Sequence, residues 1–309
     1  MKRFGLLLFL LLFIILNYNG TNKRDLNEKI FFKGIEKSLI KVKDNLYACK
    51  YEASNFEYKI FLSNLKARKL YEMYKQSVVD SLNWKKYNID PVFGLNYSKA
   101  TVTEFYPVVN ITKQGAVNFC KWLTEKYNDY PQRKYKKVLF RLPTEKEWII
   151  AAKDSLIKTF TTDYPLFIDG KMNCNFNLIN QKMIYSSDVN KDELQLKAIE
   201  VRTDEKSGRM YAGKYLISDP AIETYKWLIP STREEGLPVR INEYKPNSLG
   251  MYNMFGNVAE MIEENGRTKS GCWKSTGYFL NPYAEDEFNG FSISCPYIGF
   301  RYFMEIIEK

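Results

Sequence analysis

Asn247-Ser-Leu-Gly-Met-Tyr-Asn-Met-Phe-Gly-Asn-Val-Ala-Glu-Met261 is the stretch on which the reading of this chain turns. Glycines at 250 and 256 divide it into short pieces, as a chain needs where it bends sharply or brings a carbonyl close to a ligand or another strand. Asn257 and Glu260 place two side-chain oxygens within one turn of chain. With neighbouring main-chain carbonyls they offer a hard cation such as calcium a set of oxygen ligands. The same residues also suit a plainer task, with Asn257 capping the turn and Glu260 satisfying buried backbone groups. Two segments answer to this one: Arg141-Leu-Pro-Thr-Glu-Lys-Glu-Trp148 upstream, and Ile298-Gly-Phe-Arg-Tyr302 near the end.

At 309 residues the chain can bury a full core, as one large domain or two modest ones. Apolar residues make up 45% and aromatics 16%, which supplies the packing that a disordered chain lacks. The formal charge of +10 is scattered. Its densest patch, Arg133-Lys-Tyr-Lys-Lys137, sits between apolar segments and reads as a solvated loop, so nucleic acid is not an expected partner. Histidine is absent. That excludes a Ser-His-Asp or Cys-His pair, an imidazole base and a histidine metal ligand, and leaves oxygen or sulfur to hold any metal.

Met1-Lys-Arg3 followed by an apolar run from Phe4 to Leu16 predicts a signal peptide over residues 1–20, and hence a secreted, periplasmic or envelope location. Membrane contact is expected only through that segment, if it is kept. Residues 21–45 read as a charged lead-in, and 46–309 as the folded domain. Within the domain, 46–53 alternates like a strand. Ser54 and Glu57 form a capping box ahead of a helix through Leu65. Residues 80–105 read as an aromatic loop. A helix follows through Ala116, Phe119, Cys120, Leu123 and Tyr127, then a short strand at 138–140, and a second capping box at Thr144 and Glu147 opens a helix through Trp148. Residues 155–240 show no sustained period and read as the long irregular region where specificity would reside.

These elements carry a resemblance. Tyr51-Glu-Ala-Ser-Asn-Phe-Glu-Tyr58 resembles the opening "YEVTNxEY" of the formylglycine-generating-enzyme (sulfatase-modifying factor) family. Pro107-Val-Val-Asn-Ile111 with Ala116, Cys120 and Trp122 is similar to "PVVxVSWxxAxxYCxW". Arg141–Trp148 matches "RLPTExEWE", and Leu249–Glu260 matches "GLYDMxGNVWEW". Ser270-Gly-Cys-Trp273 stands where "RGGSW" belongs, and Gly299-Phe-Arg301 closes with "GFR". The resemblance implies an irregular α+β fold related to C-type lectins, with short strands, a few capped helices and long loops. It also implies calcium at the Gly256–Glu260 turn, held by Asn257, Val258 and Glu260. A second family calcium site resembles the region of Asn175-Phe176, without an identifiable acidic partner.

Catalytic members of that family oxidise a substrate cysteine to formylglycine with copper(I) on two cysteine thiolates, which lie five residues apart just after the "GGSW" element. Here those positions fall on Ser275 and Leu280, neither of which suits a soft ion. Cys272 and Cys295 flank the same segment, and three assignments are open to them. They are a disulfide, a pair of buried thiols or, under the enzymatic alternative, relocated copper ligands. An iron-dependent sulfoxide synthase of this family would need histidine. The expected function is therefore a non-catalytic binding or assembly module resembling gliding- and secretion-associated lipoproteins, with envelope or secretion-system proteins as partners. Arg141 and Arg301 read as scaffold residues, and Trp148 and Trp273 as core aromatics.

Overall fold

The computed structural model describes residues 21–87, 89, 91–152, 167–168, 171–176, 199–203, 210–214, 237–275, 277–280, 282–283 and 286–309. The expected signal peptide, and most of the irregular region at 155–240, lie outside them. Among the described residues no helix is long and apolar enough to cross a membrane.

The chain opens with α1 (Thr21–Ser38), β1 (Leu39–Lys43) and β2 (Leu46–Cys49). The lead-in expected at 21–45 is thus part of the fold. Phe32 and Ile35 of α1 are buried in the core, only 3% and 4% exposed. The strand expected over 46–53 ends at Cys49, where Ser54 begins the next helix. That helix, α2 (Asn55–Ala67), has the predicted capping box: Glu57 N–H donates to Ser54 Oγ at 3.2 Å, and Ser54 N–H to Glu57 Oε2 at 2.9 Å.

After α3 (Tyr71–Ser77), the loop expected over 80–105 is instead broken into α4 (Asn83–Lys86), α5 (Pro91–Tyr97) and a 3₁₀ turn at Thr101–Thr103. Pro91 misled as a breaker, since proline is well tolerated in the first turn of a helix. Thr112 caps α6 (Lys113–Asp129) by accepting from Gly115 N–H at 3.0 Å. After β3 (Lys137–Arg141), Thr144 and Glu147 exchange bonds of 3.3 and 3.0 Å at the start of α7 (Glu145–Ala152).

Two hairpins follow, β4 (Phe167–Ile168) with β5 (Lys171–Met172), and β6 (Ile199–Thr203) with β7 (Met210–Lys214). The chain ends with β8 (Ala259–Met261), β9 (Thr268–Lys269), a 3₁₀ turn at Gly277–Leu280, β10 (Ile298–Phe300) and β11 (Phe303–Glu308). The main sheet is antiparallel in the order β1-β2-β11-β3, so the last strand is threaded between early ones. A second sheet, β10-β8-β9, pairs Gly299 in parallel with Glu260, and Glu260 with Lys269.

Aromatic rings fill the space between α2, α6 and the closing strands. Phe119 lies 5.4–5.9 Å from the rings of Tyr58, Phe61, Trp122, Phe300 and Tyr302. Tyr302 O–H then donates to the capping carboxylate Glu57 Oε1 at 2.8 Å, tying the end of the chain to the start of α2. The result is an α+β fold of small sheets, short helices and long connections.

Candidate functional site

The turn before β8 is built on left-handed backbone. Asn253, Gly256 and Asn257 have φ of 49°, 72° and 62°, and asparagine is among the few non-glycine residues that accept this region readily. Gly256 pairs with Asn175 in a parallel bridge so close that a Cβ there would stand 2.2 Å from the Asn175 carbonyl oxygen. Glycine is required at that point.

Asn257 is fully buried and saturated. Its Oδ1 accepts from Val239 N–H at 2.8 Å and Asn175 Nδ2 at 3.3 Å. Its Nδ2 donates to both oxygens of Glu52 at 2.9 and 3.1 Å and to the Val239 carbonyl at 3.3 Å. Its backbone N–H donates to the Asn175 carbonyl at 2.7 Å, and its own carbonyl accepts from Trp273 N–H at 2.8 Å. Asn175 Nδ2 in turn donates to the Leu237 carbonyl at 2.8 Å. The two regions that the resemblance assigned to separate calcium sites therefore meet, and they meet by bonding to each other.

Glu260 is fully buried as well. Both of its oxygens lie 3.1 Å from Arg301 Nε, and Oε1 lies 2.7 Å from Arg301 Nη2. Oε2 also accepts from Trp148 Nε1 at 2.8 Å. Arg301 spends its remaining donors on the carbonyls of Cys49 and Tyr252. A buried carboxylate held this way is already neutralised by a cation.

The donor set therefore does not fit calcium. Asn257 Oδ1 and Glu260 serve protein donors, and the Arg301 guanidinium already neutralises Glu260. Among the described residues no group of three or more Cys, Asp or Glu side chains could hold a metal ion. Asn257 and Glu260 act as a polar rivet.

Glu52 was not singled out by the sequence, although it sits between the half-buried Tyr51 and the buried Ala53 of the opening motif. It is fully buried, and it accepts from Asn253 Nδ2 at 2.9 Å as well as from Asn257. Burial pushes its carboxyl up to about 8, against the pull of Arg301 and with a further push from Glu260. Burial thus favours the neutral form of the Glu52 carboxyl.

The segment after β9 forms a wall against this rivet. Trp273 reaches the Pro296 carbonyl through Nε1 at 3.2 Å and packs 5.0 Å from the Tyr297 ring. Ser275, at the first copper position, is fully buried. Its hydroxyl bonds to Glu287, accepts from Cys272 N–H at 2.7 Å and lies 3.2 Å from Cys272 Sγ. Leu280, at the second position, is 1% exposed in a cluster with Trp148, Phe255 and Cys174.

All five cysteines are buried free thiols, so the Cys272–Cys295 disulfide is not formed and the plainer assignment of these residues as buried thiols holds. Burial raises every one of them, Cys272 to about 12 and Cys295 to about 11. A copper(I) ion would have to displace a proton from each of these buried thiols in order to bind it.

Against known families, residues 20–306 match the model of the sulfatase-modifying factor enzyme 1-like domain. The chain belongs to that family. The match begins at α1, which agrees with a first helix inside the fold of this sulfatase-modifying-factor domain. No curated protein matches its sequence. Among solved structures it is similar to CarF, with 18% identity over 87% of this chain and 93% of that one and a TM-score of 0.42. It is also similar to variable protein 1 of Treponema denticola, with 15% identity, 87% and 91% coverage and a TM-score of 0.41. A third, PvdO from Pseudomonas aeruginosa, shares 16% identity over 65% of this chain and 63% of that one, with a TM-score of 0.37.

Proposed function

We propose that this sulfatase-modifying-factor domain is a non-catalytic binding or assembly module of the secreted or cell-envelope compartment, with envelope or secretion-system proteins as partners. The observation that carries the reading is the sealing of both copper positions. Ser275 is bonded to Glu287 and Cys272, and Leu280 is packed in the core. Neither position retains a soft ligand. The apolar run at Phe4–Leu16 supports an exported location.

The purified chain, reduced and supplied with copper(I) and oxygen, would be incubated with a cysteine-containing sulfatase-type peptide and followed by mass spectrometry. The expected result is an unchanged peptide beside an active family control. Conversion of the cysteine to an aldehyde, abolished by Cys272→Ser, would overturn the reading in favour of a copper oxidase with relocated ligands. Cross-linking in intact cells tests the other half, with adducts to envelope proteins expected. Adducts confined to cytoplasmic proteins would contradict it.

A further inference from the structure

We infer that the outer surface of the segment Leu82–Val102 docks the folded domain on an anionic lipid membrane. Within this segment α4 and α5 meet on Trp84, which is 1% exposed. Its ring lies 5.2 Å from that of Phe93 and 5.0 Å from that of Tyr97, and a Cβ at Gly94 would stand 2.5 Å from its side chain. The Thr103 hydroxyl donates to the Tyr97 carbonyl at 2.6 Å, which holds the 3₁₀ turn at Thr101–Thr103 against the end of α5. The aromatic side chains of the segment are thereby drawn toward the core, and what stays outside is of a different kind.

Leu82, Val92, Leu95 and Val102 are 69%, 64%, 43% and 72% exposed. Val92 and Leu95 stand three positions apart on α5, on the side that Phe93, Gly94 and Tyr97 do not use. At α4, Asn83 Nδ2 donates to the carbonyl and the hydroxyl of Ser294, both at 2.7 Å, which brings the exposed Ile293 up beside Leu82. The other exposed side chains of the segment are Lys85, Lys86, Asn96, Lys99 and Thr101, so among its described residues there is no exposed carboxylate. Of the two acids that border it, Asp80 accepts from the Leu82 N–H at 3.1 Å, and Glu104 is buried and paired with Lys59. The surface is aliphatic and positive.

That composition separates a lipid partner from a protein one. Protein interfaces gather aromatic side chains and arginine at their centre and are depleted in lysine. Here the exposed set holds neither an aromatic ring nor an arginine, and every cation in it is a lysine. A membrane surface asks for that combination. Aliphatic side chains enter the boundary of the acyl chains, while the long lysine stems keep their ammonium groups level with the phosphates. Anionic headgroups supply the charge that the segment lacks, and the net charge of +10 on the chain adds to the attraction.

The full chain would be sedimented with vesicles of phosphatidylcholine, or of phosphatidylcholine and phosphatidylglycerol in equal parts. Binding is expected to favour the anionic vesicles, by about fivefold for each lysine engaged. Lys85→Gln/Lys86→Gln should lower that preference by the same factor per site. Leu95→Ser/Val102→Ser should weaken binding to both kinds of vesicle by about tenfold or more. All four positions are exposed, so melting temperatures should not move. The apolar run at Phe4–Leu16 is common to every variant, and a dye sensitive to its surroundings separates its contribution. Since the five native thiols are buried, the dye can be carried on Leu95→Cys, with Lys137→Cys on the main sheet as a control. Its emission should shift to the blue on anionic vesicles at the first position and stay unchanged at the second. A dye that remains in water at the first position, or binding indifferent to lipid charge, would overturn the proposal. Loss with the lysine variant but none with Leu95→Ser/Val102→Ser would also overturn it, and would point to an acidic protein surface instead.

Discussion

Glu52 shows what a single buried carboxyl does to the pH response of the fold. Its value is about 8 in the folded chain and 4.5 for an ordinary glutamate. The folded state therefore holds a proton that the unfolded chain gives up once pH exceeds 4.5. The associated stability is complete below that point and is lost as pH rises through about 8. Glu52→Gln keeps an acceptor for Asn253 and Asn257 and has no proton to lose. Thermal melts should find the variant gaining on the native chain steadily between pH 4.5 and about 8. A constant difference across that range would mean that Glu52 titrates normally.

Glu147 behaves in the opposite way. Burial pushes it up, but Arg141 at 2.7 and 2.8 Å and the Thr144 N–H outweigh that and hold it at about 2. Its contribution is present above 4.5 and fades as pH falls toward 2. Glu147→Gln should therefore cost stability at neutral pH and little near pH 2, a trend that acid titration of unfolding would check.

Among the elements, the capped helices were the most legible, because a cap is a local event. Ser54 with Glu57 and Thr144 with Glu147 both do in three dimensions what their spacing announced. The two sheets were not legible. Threading β11 between β2 and β3 joins residues far apart in sequence, and nothing in Phe303–Glu308 names its partners. The candidate site divides the same way. Asn257 and Glu260 are the residues expected to hold calcium, and in the fold their side-chain oxygens accept from protein donors. Arg301, Trp148, Asn175 and Val239 arrive from distant segments to donate to those oxygens, while Glu52 accepts from Asn257 Nδ2. Gly256 gives this arrangement its sharpest test. Gly256→Ala adds a Cβ beside the Asn175 carbonyl and strains a φ of 72°, and chemical denaturation should show a loss well above about 1 kcal/mol. A neutral result would mean that the Asn175 bridge yields easily.

For the molecule as a whole, two expected outcomes follow. A chelator such as EDTA should leave the melting temperature unchanged, because the rivet is closed by a guanidinium and not by an ion. A fall reversed by calcium would restore the cation reading through mass action. The N-terminal segment, in contrast, should matter for stability. Phe32 is stacked on Tyr130 at 4.8 Å and meets Tyr127 edge-on at 6.0 Å, so Phe32→Ala should cost about 3–5 kcal/mol by denaturant titration. An inert substitution would return α1 to the status of a tether.

Asn257 has one more consequence, for evolution and for engineering. It grips Asn175 on one side and Val239 on the other, while Asn175 grips Leu237. Two points of the chain more than sixty positions apart in sequence are thereby soldered together at the floor of the domain. Whatever lies between them begins and ends at the same fixed socket. Doubling the length of such a closed segment costs only about 0.6 kcal/mol of loop entropy. The socket therefore holds both ends of the stretch between Phe176 and Leu237, which carries β6 and β7, and a change in the length of that stretch should cost little stability.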